Sequence, residues 1–144
     1  MTAEVARAIA MASHAGQRTR SGEPVLAHVA RVVLAAPPEV RATAWLHDLA
    51  ERCEPRAEEL RARGMTPVEL DALELLTRLP SESYELYTLR IAHATGDAGR
   101  IARRVKLADL DDHLRCRPLP GDPPYAWARR RIARAVLTEL RAAS

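Results

Sequence analysis

The sequence contains no Phe, and its aromatics are limited to two Trp and three Tyr in 144 residues. Straight-chain helix formers fill the space instead, with 27 Ala, 18 Leu and 21 Arg. Cysteine is nearly missing too. Cys53 and Cys116 stand alone without a Cys-x-x-Cys pair, which argues against a disulfide framework or a zinc cluster and suggests a reducing cytosol. No run approaches the roughly 20 apolar residues of a membrane span. The N-terminal stretch carries an early acid and lacks the basic start, apolar middle and small-residue exit of a signal peptide. No internal repeat or low-complexity segment is visible. Lysine occurs once, at Lys106. Net charge is +3 and the pI about 9.3, which suits a phosphate-bearing ligand but is too weak to demand nucleic acid. What remains is an ordinary globular composition, 47% hydrophobic and 28% charged, at the length of one domain over residues 1–144.

The apolar pattern is helical throughout. Val5, Ile9 and Ala12 predict a first helix over 2–14. A turn-rich stretch follows from Gly16 to Pro24. Val25, Val29, Val32, Val33 and Ala36 form the stripe of a second helix that Pro37-Pro38 stops. A third runs from about Glu39 to Glu51, and a short charged one lies near 56–63. Thr66-Pro67-Val68-Glu69 reads as a capping box opening a helix to about Thr77. Ser81 or Ser83 can cap another through His93. Gly96 to Gly99 reads as a break before a long helix over 100–115. A Pro-rich loop and a basic last helix over about 124–142 complete the chain, the latter carrying Ala128, Ile132, Val136 and Leu140. No segment alternates with period two, so the prediction is an all-α bundle of seven or eight helices.

Certain polar residues interrupt these stripes. His28 lies three after Val25 and four before Val32. His47 and Asp48 share the inner face of the third helix with Ala44. Asp109 lies four after Val105. A buried carboxylate is expensive unless it is paired or bound to metal. Imidazole and carboxylate together suit a divalent cation such as manganese, iron or zinc. Each residue alone reads more simply as a hydrogen-bonded core or surface group. The ordered set carries the signal: His28, then His47-Asp48, then Asp109.

That order on a helical scaffold resembles the HD-domain phosphohydrolase superfamily. His14-Ala15-Gly16-Gln17, Arg20-Ser21-Gly22-Glu23-Pro24 and His28 resemble the opening of the hydrolase domain of RelA/SpoT-type alarmone enzymes. Ala44 to Glu51, Leu76-Thr77-Arg78, Ser83-Tyr84 and Val105 to Leu110 continue the resemblance, in order, across most of residues 3–115. It implies a compact HD-type bundle with a metal site between helices. The implied ligands are His28, His47, Asp48 and Asp109, holding one divalent cation, first manganese, with iron, nickel, cobalt or zinc as alternatives. The implied activity is hydrolysis of a small nucleotide, as in removal of the 3′-pyrophosphate of (p)ppGpp. Glu51, three after Asp48, matches the carboxylate that positions the attacking water. Arg20 and Lys106 match groups that offset phosphate charge.

Three positions depart from the family pattern. Arg52 stands where an acid is usual, His113 where Asn often follows the distal Asp, and Thr19 where an Arg packs on the base, with Arg18 one position off. Arg52 can grip a phosphate or close a salt bridge with Glu51 or Glu54. The expected substrate-facing set is Arg18, Arg20, Ser21, Lys106, His113 and Tyr84. His14 either touches substrate or shapes its loop. Tyr84 or Tyr87 can stack on a nucleobase, with core packing the expected role of at least one. Trp45 reads as core and His93 as solvated. Arg129-Arg130-Arg131 with Arg134 reads as a solvated face or a homo-oligomer contact rather than a nucleic-acid surface. The expected partner is a small phosphorylated nucleotide in the cytoplasm. The alternative is a catalytically degenerate HD-type protein that binds nucleotides or partners.

Overall fold

The structure is a computed structural model that describes residues 1–52 and 57–143, with Glu51 and Arg52 described in backbone alone. Among these residues it is all-helical: α1 (Ala3–Ser13), α2 (Val25–Ala35), α3 (Arg41–Leu46), α4 (Leu49–Arg52), α5 (Ala57–Ala62), α6 (Pro67–Leu76), α7 (Tyr84–His93), α8 (Gly96–Arg115) and α9 (Tyr125–Ala142). The segment α4 is a single turn, so eight longer helices make the bundle, as the sequence predicts. None of them is long and apolar enough to cross a membrane.

Local signals start these helices where expected. Thr2 accepts from the Val5 N–H to open α1. Thr66 and Glu69 form a reciprocal capping box, with Glu69 N–H to Thr66 Oγ1 at 3.2 Å and Thr66 N–H to Glu69 Oε2 at 2.7 Å. Ser83, not Ser81, caps α7 through the Leu86 N–H at 3.1 Å. The core lies around α8, which packs against α2, α6, α7 and α9. Val25, Val29, Val32, Leu46, Ile91, Val105, Leu110 and Ile132 are fully buried there. Each such aliphatic side chain contributes about 1.5–3 kcal/mol.

The structure corrects four expectations. The buried face of α1 is Ala6 and Ala10, continued by His14, while Val5 and Ala12 are exposed and Ile9 half-buried. The methyl side chains let α1 lie directly on α3. The predicted third helix is broken into a 3₁₀ turn (Pro38–Val40), α3 and α4, with His47 and Asp48 in the turn between the last two. The Ala44 carbonyl accepts both the His47 backbone N–H at 3.5 Å and its ring Nδ1–H at 2.7 Å, which tightens the chain there. Gly96 to Gly99 is no break, because α8 begins at Gly96. Gly99 is needed for close approach: a Cβ there would lie 2.4 Å from the Ala94 carbonyl oxygen. At α9, Ala128 and Ile132 are buried, but Leu140 of the expected stripe is exposed.

Candidate metal centre

Helix periodicity turns His28 inward from α2, and a chain of charges fixes its ring. His28 Nδ1 lies 2.8 Å from Asp112 Oδ2. The same carboxylate accepts from Arg31 Nε at 2.7 Å and Nη2 at 3.0 Å. Arg31 in turn donates to both Glu23 oxygens, at 2.7 and 3.1 Å. Burial works against the Asp112 charge, yet His28 and Arg31 hold its carboxyl well below the usual range. An ionised Asp112 only accepts, so His28 carries its proton on Nδ1 and turns Nε2 towards Asp109.

His47 reaches the same point from the turn after α3. Its Nδ1–H is spent on the Ala44 carbonyl. Its Nε2 lies 3.6 Å from Asp109 Oδ1 and 3.4 Å from Asp48 Oδ1. His28 Nε2 lies 3.2 Å from that same Asp109 Oδ1. Asp109 is divided between two tasks: Oδ2 accepts from Lys106 Nζ at 2.7 Å, and Oδ1 faces the imidazoles. His28 Nε2, His47 Nε2 and Asp109 Oδ1 are all buried with no hydrogen-bond partner. Orphaned buried polar atoms are costly, and here they converge.

The electrostatics suit a cation at that point. Burial disfavours the Asp109 charge, but Lys106 and the surrounding imidazoles keep its carboxyl well below the usual range. Burial also opposes a charged His28, and the Asp109 and Asp112 carboxylates outweigh it, holding its pKa up at about 10. A proton and a divalent cation are alternative occupants of the same negative pocket. Two imidazoles with Nδ1–H already bonded and an ionised carboxylate form a donor set that could hold a divalent transition metal. Among the described residues, two triads of ligand atoms within 4.8 Å of one another share His28: His28, His47, Asp48, and His28, Asp109, His113.

These groups open into a cleft of about 450 Å³. Thr19, Arg20 and Ser21 line it from the α1–α2 loop, Arg78 from the end of α6, and Tyr84 from α7. Arg20 leans across it, donating to Asp122 Oδ1 at 3.0 Å and to the Pro120 carbonyl at 2.9 Å. Ser21 Oγ lies 2.8 Å from Thr19 Oγ1. Lys106 is buried, with Nζ 5.5 Å from the Tyr84 ring centre and 4.9 Å from that of Tyr87. Burial alone would lower its pKa, but Asp109 raises it well above the ordinary lysine value. His113 Nε2 lies 3.1 Å from Asp109 Oδ1, and its ring stacks on Tyr125 at 4.3 Å.

One residue of the expected substrate-facing set lies away from the cleft. Arg18 does not line the cleft; its Nη1 donates to the Gly22 carbonyl at 2.6 Å and closes its own loop. The loop is a tight return in which Arg18 bridges Pro24 and Gly22 takes a φ of +87°. The side chains of Glu51 and Arg52 lie outside the described residues, as does Cys53. His14 is buried and bonds Gln17 at 2.9 Å, so it shapes the loop. Tyr87 is core and donates to the Leu76 carbonyl at 2.6 Å. His93 is exposed and Trp45 half-buried against the core. Sequence reasoning missed Asp112 and Tyr125. Asp112 lies seven after Val105 and three after Asp109 on a buried stripe, and that polar interruption was a readable signal. Tyr125 comes in from α9 after a loop, and no local pattern marks it. No protein-family model matches the chain, and no curated protein matches it.

Proposed function

We propose that the chain is a metal-dependent phosphohydrolase acting on a small nucleotide, with removal of the 3′-pyrophosphate of (p)ppGpp or a related nucleotide as the reaction its motifs suggest. One observation carries the reading: two imidazole nitrogens and one carboxylate oxygen, all buried and without a hydrogen-bond partner, converge in a cleft that Arg20, Arg78 and Lys106 also line. His28, His47, Asp48 and Asp109 would hold the cation, manganese first. When bound, the cation supplies Lewis acidity towards a phosphoryl oxygen and lowers the pKa of a water.

The chain's own groups have distinct tasks in this reading. Asp112 and the Ala44 carbonyl keep both imidazole protons on Nδ1. Lys106 holds Asp109 in one rotamer and keeps it ionised. Arg20 and Arg78 offset phosphate charge in the cleft, and Tyr84 offers a ring to a base. Glu51 is the carboxylate that orients and deprotonates the attacking water, and Arg52 beside it grips a phosphate oxygen.

Purified protein with manganese is expected to release phosphate or pyrophosphate from a nucleotide panel, and His47→Ala and Asp48→Ala to abolish the release. Undiminished release by both variants refutes the metal mechanism. A second reading, a nucleotide-binding protein without turnover, is favoured by the cation Arg52 next to Glu51. It expects tight binding, no release, and activity appearing in Arg52→Asp.

A further inference from the structure

We propose that His113 is a further ligand of the same cation, so that the centre offers three imidazole nitrogens and selects nitrogen-seeking metals such as zinc, cobalt or nickel over manganese. The inference rests on the metal-centre reading above and changes what that centre holds. Asp109 and His113 are four apart on α8, so both side chains leave the helix on one face. His113 Nε2 lies 3.1 Å from Asp109 Oδ1, the oxygen that also faces His28 at 3.2 Å and His47 at 3.6 Å. That oxygen is buried and has no hydrogen-bond partner, so three imidazole nitrogens surround one orphaned acceptor. The ligand atoms of His28, Asp109 and His113 lie within 4.8 Å of one another.

The ring of His113 is held in place. It stacks on Tyr125 with centroids 4.3 Å apart and planes 7° from parallel. The stack fixes the plane and leaves Nε2 on the edge turned to Asp109. The His28 ring centroid lies 4.9 Å from that of His113. A side chain placed merely to touch a substrate would not need an aromatic platform and a nitrogen aimed at the buried carboxylate.

The consequence is chemical. Oxygen-rich sites suit manganese and magnesium, whereas added imidazole favours zinc, copper, nickel and iron. Each nitrogen donor therefore shifts selectivity along the series. His113→Asn replaces the third nitrogen with an amide. His113 is about a third exposed, with 35% of its side chain accessible, so the variant is expected to keep the fold.

The test loads wild type and His113→Asn with copper(II) and counts coordinated nitrogens by hyperfine splitting in electron paramagnetic resonance. Zinc and manganese affinities are then compared by calorimetry. Three nitrogens are expected in the wild type and two in the variant. The zinc-to-manganese affinity ratio is expected to fall at least about tenfold in the variant. Two nitrogens in the wild type overturn the inference without reference to any variant, as does an unchanged ratio. In those cases a cation is still bound and the metal-centre reading stands. A wild type that takes up no cation overturns that reading, and this inference with it.

Discussion

Asp112 touches no proposed substrate, yet the geometry makes it the residue on which His28 depends. Asp112→Asn keeps the size and removes one acceptor and the charge. The carboxylate now accepts three hydrogen bonds, from His28 Nδ1 at 2.8 Å and from Arg31 at 2.7 and 3.0 Å. An amide has one oxygen and one NH₂, so it cannot serve both partners. If the oxygen stays with Arg31, the NH₂ faces His28 Nδ1 and favours the tautomer with its proton on Nε2. That proton blocks the nitrogen that faces Asp109. Loss of such a supporting partner costs about 10–100-fold in metal affinity, or about 1.4–2.8 kcal/mol. The charge-assisted bonds to Arg31 add about 1.5–3 kcal/mol to the cost in stability. Zinc or manganese titration by calorimetry reads the first loss. Nitrogen-15 shifts of the His28 ring read the tautomer. An affinity within twofold of wild type, with Nδ1 still protonated, refutes the reasoning.

Other perturbations test the scaffold. Gly99→Ala gains about 1 kcal/mol of helix propensity but drives a methyl to 2.4 Å from the Ala94 carbonyl oxygen. The corner between α7 and α8, where Arg103 Nη1 bonds that carbonyl at 2.5 Å, must open. A net loss of about 1–3 kcal/mol is expected in urea unfolding, and a more stable variant refutes the packing. Glu82 bonds Arg90 at 2.8 and 2.9 Å, and Arg90 holds its carboxyl below the ordinary value. A depressed folded pKa gives stability at neutral pH that is lost as pH falls through it. The wild-type advantage over Glu82→Gln is therefore expected to shrink between pH 7 and about pH 3; a constant difference in urea midpoint counts against the ion pair. Lys106→Arg forces a bulkier, planar cation between Tyr84, Tyr87 and Asp109, and is expected to cost about 1–3 kcal/mol together with metal affinity. If melting temperature and metal uptake both survive, the lone lysine is replaceable.

Much of the site was legible because helices convert spacing into facing. His28 and Asp109 each interrupt an apolar helical stripe and are buried, and His47 is buried as well, from the turn after α3 rather than from the helix expected to carry it. Lys106, singled out by its rarity and by its match to a phosphate-neutralising group, is bonded to Asp109. The loop residues were read less well. Arg18 and Arg20 are two apart in one turn, and only the pairing of Arg18 with Pro24 decides that Arg20 faces the cleft while Arg18 ties its own loop. The Gly96–Gly99 stretch was misread because glycine signals a break and a close approach alike. The neighbour that distinguishes them, the Ala94 carbonyl, enters through the fold of the corner.

The sequence by itself determined the helical class, most helix starts, the inward face of α2, and the inward turn of Val105 and Asp109 on α8. These depend on periodicity and caps, which act over a few residues. The tertiary structure alone decided that Asp112 holds His28 from a helix 84 positions away, and that Tyr125 orients His113. It also decided that three nitrogens meet at one carboxylate oxygen. Such contacts arise where α2, the turn after α3, α8 and α9 converge, and no local pattern encodes the distance between residues that only packing brings together.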